Sequence, residues 1–135
     1  MIQTQKLIQI ESIARWLMAL ILLTAGTSKF FSDGGFAAYY LGQFTSGTLR
    51  INLPGGLIGL YLNLIPFIEV GLGAALLVPK LKPYTVYAWY AFMASLLIGH
   101  YVLQEWSAVN QMLAFFFLGM ICHALPIKHE TIHEN

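Results

Sequence analysis

LIGLYLNLIPFIEVGLGAALLV, residues 57–78, decides the reading of this chain, because one ionisable side chain, Glu69, stands in an otherwise apolar run. About 20 residues at ~1.5 Å each cross the ~30 Å hydrocarbon core of a bilayer, so the run is long enough to span one. A carboxylate at that depth costs roughly 2.5–3.5 kcal/mol on insertion scales, which marks Glu69 as a partnered or functional group. Pro66, three residues earlier, has no backbone N–H and frees the carbonyl of Leu62. The loosened turn therefore shares a helical face with Glu69 and Gly73.

Composition places the rest of the chain in the same environment. It is 58% hydrophobic and 10% charged, with a mean hydropathy of +0.68, against about 25% charged residues in soluble domains. An integral membrane protein is expected, with the lipid bilayer as its first partner. A net charge of +1 without a basic stripe gives no nucleic-acid footprint. Cys122 is the single cysteine, which excludes an intramolecular disulfide or a dithiol pair. Any redox role has to borrow a cofactor or a partner.

Outward from residues 57–78, the pattern predicts a span at 12–31 after a short polar lead at 1–11. A signal peptide is the alternative, disfavoured by Arg15 inside the segment. Residues 32–56 form the one long connection, an interfacial loop or short helix. Ser32 and Asp33 are its candidate N-caps, and Phe36, Tyr40, Leu41 and Phe44 recur at helical spacing. A substrate lid is the functional reading of the same stretch. Leu53-Pro54-Gly55-Gly56 marks the turn into the second span, and Pro79 to Pro83 a tight basic turn after it. A third span at 84–103 carries Ala91, Ser95 and Gly99 as a small-residue ridge suited to close helix contact. A fourth occupies 108–125. The fold expected is all-α, an integral membrane up-down four-helix bundle forming a single membrane domain, 1–135. Lys6, Arg15, Lys80, Lys82 and Lys128 fall on one side and Lys29 and Arg50 on the other, which predicts that both termini are cytoplasmic.

Given that topology, Arg15 and Glu69 differ in depth by about 9 Å, a gap two long side chains can close. The expected pair either handles protons and orients a ligand or fixes helix register. Lys29 lies deeper on the opposite side, able to snorkel outward. His100 sits near the outer end of the third span, as a bundle residue or as an imidazole at the outer mouth. His123 sits near the inner end of the fourth, and their opposite depths argue against an axial haem pair, so no haem is expected. Cys122 and His123 point about 100° apart on a helix, and His129 and His133 in the tail lack a third ligand, so no metal site is expected. The candidate ligand-binding or buried polar cluster is Arg15, Lys29, Glu69 and His100, with no catalytic residue identified.

Arg15, Ala25-Gly26-Thr27-Ser28-Lys29-Phe30, Leu53-Pro54 and Glu69-Val70-Gly71-Leu72-Gly73 form a set of short motifs along the chain. In these it resembles the DoxX-like membrane proteins, which include the small subunit of thiosulfate:quinone oxidoreductase. The resemblance implies a bacterial inner-membrane four-helix protein, a subunit of a quinone-linked redox or sulfur-handling complex, with Arg15, Lys29 and Glu69 at the family's polar positions. No covalently bound cofactor is expected, and a quinone is the candidate ligand. A partner subunit or a homo-oligomer is implied. The competing expectation is a non-catalytic membrane assembly or scaffold protein.

Overall fold

The computed structural model describes residues 2–46, 49 and 53–127. Among them the chain is all-helical: α1 (Ile2–Phe30), α2 (Phe36–Thr45), α3 (Gly55–Leu76), a 3-10 turn at Pro79–Leu81, α4 (Lys82–Val102) and α5 (Trp106–Ala124). Three of these, α1, α3 and α5, are long and apolar enough to cross a membrane. The four-span expectation is thus met by three helices on length and apolarity. Helix α4 is 21 residues long, but its tyrosines, Lys82, Thr85, Ser95 and His100 lower its hydropathy.

Apolar side chains such as Ile13, Leu20, Leu60, Phe67, Phe117 and Met120 are exposed along these helices. Water does not tolerate a surface of that kind over so large an area, whereas lipid tails do. Between helices in lipid there is little hydrophobic driving force, so close packing has to supply the attraction. Glycines provide it. A Cβ at Gly26 would come within 2.9 Å of the Pro66 carbonyl oxygen and within 2.8 Å of Glu69 Cβ, and one at Gly73 within 2.9 Å of Leu23. Helices α1 and α3 therefore lie backbone to backbone and antiparallel. Gly119 of α5 likewise admits the indole of Trp89, whose Nε1 donates to the Phe115 carbonyl at 3.1 Å.

The expected small ridge on α4 has a different use. Ser95 and Gly99 face a cavity, and a Cβ at Gly99 would meet only Phe44 Cζ, at 3.8 Å. The long connection does form a short helix, but Ser32 and Asp33 do not cap it. Gly35 is the N-cap of α2, and both Gly34 and Gly35 take the left-handed φ values, 80° and 79°, that glycine alone adopts without strain. Helix α1 also starts ten residues before the expected span, since the polar lead is helical from Ile2. Helix α3 runs continuously through Pro66. Arg50, Lys128, His129 and His133 lie outside the described residues.

Candidate functional site

Helix α1 stops short. Gly26 packs against Pro66, Glu69 and Val70, and the Phe30 ring meets Phe67 at 5.1 Å, so α1 ends level with the middle of α3. The remaining residues of α3, from 65 back to Gly55, continue for about 15 Å at ~1.5 Å per residue. Helix α2 packs against this half of α3. Under it lies a cavity of about 330 Å³, walled by α3 from Ile58 to Glu69 and by α4 from Ser95 outward. It is near the lower end of the roughly 300–1,000 Å³ range of small-molecule sites.

Lys29, one residue before the end of α1, closes the deep end. Its Nζ donates to both carboxylate oxygens of Glu69, at 2.7 Å each, and lies 5.0 Å from the centre of the Phe36 ring. Both ions line the cavity. Higher up, Ser95 Oγ donates to the Phe92 carbonyl at 2.6 Å, so in its 2.5 Å contact with Ser95 the Tyr61 hydroxyl is the donor. At the mouth, His100 Nδ1 is 2.5 Å from Glu105 Oε2, which leaves Nε2 as the ring nitrogen available to a ligand. Tyr40 contributes a phenol from α2. Burial pushes its pKa up, and the carboxylate of Glu105 and the neighbouring Tyr39 add to the shift, so the phenol stays protonated.

The expected Arg15 to Glu69 pair is not what the structure forms. Arg15 Nε donates to Glu11 at 3.1 Å, and its guanidinium Nη1 donates to the Leu76 carbonyl at 2.8 Å. Glu69 pairs with Lys29 instead. Arg15 thereby satisfies an acceptor that the end of α3 leaves without a helical partner, at the terminus where the dipole favours a cation. Lys82 does the same for α5: it donates to the Leu125 carbonyl, and its Nζ is 3.8 Å from Glu11 Oε1. Cys122 Sγ completes the group, donating to the same carboxylate at 3.6 Å. Glu11, Arg15, Lys82 and Cys122 are all buried. Among the described residues, no buried side-chain nitrogen or oxygen lacks a partner.

Of the four candidate residues, the structure thus gathers Lys29, Glu69 and His100 at one cavity and sends Arg15 to the opposite end. Sequence reasoning missed Glu11, Lys82 and Glu105. The i, i+4 spacing of Glu11 and Arg15 was the available signal for the first. His123, the other histidine of the bundle, packs its ring against Tyr87 at 5.5 Å. No group of three or more His, Cys, Asp or Glu able to hold a metal occurs among the described residues.

A family model described as methylamine utilisation protein MauE matches residues 6–121. The chain belongs to the MauE family. This corrects the DoxX resemblance, since MauE is a different membrane family. The two longer stretches behind that resemblance carry Gly26, Gly71 and Gly73, and Gly26 and Gly73 show why: close helix contact asks for small residues in any membrane protein. No curated protein and no solved structure matches this MauE-family chain. Family and apolar helices together make it a multi-pass membrane protein.

Proposed function

We propose that this MauE-family protein is a membrane-embedded accessory protein of a methylamine-utilisation system, and that it holds a lipid-soluble ligand under α2. One observation carries the ligand reading: the ion pair of buried Glu69 with half-buried Lys29 borders open volume instead of packed side chains. A pair serving only helix register is better served by a dry, filled surround. A quinone is the redox-active member of the ligand class, and a partner subunit would supply or receive its electrons, since Cys122 offers no dithiol. Four crossings in up-down order, with α4 as the third, fit the antiparallel contacts of α1 with α3 and of α4 with α5. Cytoplasmic termini in a bacterial inner membrane fit the basic residues Lys6, Arg15, Lys80 and Lys82.

The test is the content of the cavity in protein purified from its native membrane. Organic extraction of wild type should release a lipophilic molecule in near-stoichiometric amount. In Gly99→Leu, whose side chain would occupy the space beside Phe44, that molecule should fall to the level of bulk detergent. Equal extracts would remove the ligand reading. Orientation is checked with a membrane-impermeant thiol reagent on intact cells, in a Cys122→Ser background. Ser46→Cys should react and Lys80→Cys should not; the reverse would overturn the placement of the termini. Lys80 is the residue to use on that side, because Lys82 is buried against Glu11.

The inner network favours a second reading. Glu11, Arg15 and Lys82 tie α1 to the ends of α3, α4 and α5, which is what a scaffold without a ligand needs. That reading predicts an empty cavity and a partner protein that co-purifies with wild type and with Gly99→Leu alike.

A further inference from the structure

Charge balance around the cavity says what kind of head group it takes. The deep end holds one cation and one anion, and they are spent on each other, with both Glu69 oxygens 2.7 Å from Lys29 Nζ. An anionic head would have to draw the ammonium from Glu69 while lying against that carboxylate. A cationic head would meet Lys29. In a low-dielectric wall either encounter is strongly unfavourable, because charges interact there several times more strongly than in water. An uncharged head meets neither penalty and finds hydrogen-bonding groups at two levels: His100 Nε2 at the mouth and, deep, Lys29 Nζ, whose one N–H not given to Glu69 reaches only the Ala25 carbonyl, at 3.4 Å.

Shape narrows the class further. Phe36, Tyr40 and Phe44 follow one another at i, i+4 and i+8 on α2 and line the cavity together. Aromatic faces in a row accept a flat ring by offset or edge contact. About 330 Å³ accommodates a ring and its substituents but not a whole lipid, so any hydrocarbon tail leaves through the open side.

Resting on the ligand reading above, we infer that the cavity selects a lipophile whose head is an uncharged planar ring carrying hydrogen-bonding oxygens, and that the Lys29–Glu69 pair acts as a neutral clamp rejecting charged heads. Glu69 and Lys29 are then selectivity residues as well as contact residues. Neutralising one of them turns the clamp into a site for the opposite charge.

The experiment compares three probes with the same ten-carbon tail on purified protein in a neutral detergent: a substituted benzoquinone, a carboxylic acid and a primary amine. Wild type should bind the benzoquinone at least ten-fold more tightly than either charged probe. Glu69→Gln, which leaves Lys29 uncompensated, should bring the acid to parity or better, and Lys29→Met should do the same for the amine. Should both variants fail to fold, wild-type selectivity still decides, because binding of the acid or amine as tightly as the benzoquinone overturns the inference. Selectivity that survives unchanged in a folded Glu69→Gln overturns it as well. Absence of binding for all three probes, together with a wild-type extract free of any lipophile, removes the underlying ligand reading instead.

Discussion

Two regions of this molecule, one end of the bundle and its middle, hold charge among apolar helices, and they do it in opposite ways. At one end Glu11 is surrounded by Arg15, Lys82 and Cys122, with Arg15 and Lys82 also holding the carbonyls of Leu76 and Leu125. Glu11 is 1% exposed and Arg15 4%. In the middle, Lys29 and Glu69 are as tightly paired but face a cavity. In the first arrangement Lys82 alone borders open volume, a cavity of about 400 Å³ between α4 and the end of α5, and Glu11 and Arg15 do not line it; in the second both ions line the cavity under α2. The contrast lies in the volume beside each carboxylate: Glu69 lines a cavity, and Glu11 lines neither of the two.

The sharpest break of this comparison is Glu11→Leu, which strands two buried cations at once. Removing one side of a buried ion pair typically costs about 3–5 kcal/mol. The variant should show the largest drop in thermal midpoint in a given detergent. Adding Arg15→Leu to it should restore part of the loss, and strict additivity of the two single changes would mean that they do not interact.

Next in size is a pair of glycines, one from a closed helix contact and one from the cavity wall. Gly119→Ala places a Cβ 2.9 Å from the Trp89 ring and should cost about 1–3 kcal/mol through overpacking. Gly99→Ala, in the cavity wall, meets only Phe44 at 3.8 Å and should stay within about 0.5 kcal/mol of wild type. Parallel unfolding curves of the two variants check this. Equal losses would mean that the cavity is as closely packed as the helix contact.

Between those two values lies Tyr61→Phe. It removes the hydroxyl that donates to Ser95 and should lower stability by about 1 kcal/mol, the usual net worth of one hydrogen bond. No change at all would place the Tyr61 hydroxyl in free exchange with water at the cavity wall.

Much of the fold was legible because hydropathy and turn residues are local signals. Pro54, Pro79 and Pro83 lie at element boundaries, and α2 and α3 begin within a few residues of where spacing put them. The start of α1 was not legible, since Gln3, Gln5 and Lys6 look like a polar lead yet favour helix. The site was half legible. Glu69, Lys29 and His100 stood out by type and depth, but their pairing depends on where α1 ends against α3, and that is set by Gly26 and Gly73 meeting backbone across the contact. Counting residues from assumed span ends brought Arg15 toward Glu69. It could not see that a helix-terminal carbonyl, that of Leu76, would claim the guanidinium. His100 and Glu105 meet across a turn, through Gln104 at φ 58°, a geometry no periodicity encodes.

Charge-neutral removal of each ion cluster separates one that holds the fold from one that holds a ligand. The amount of lipophile extracted per protein is compared for Lys29→Met/Glu69→Leu and for Glu11→Leu/Arg15→Met, both purified from native membranes. Background levels are expected in the first variant with its thermal midpoint near wild type, and wild-type levels in the second with its midpoint lowered. Retention of the lipophile by the first variant, or loss from both in proportion to their loss of stability, would contradict that division of roles.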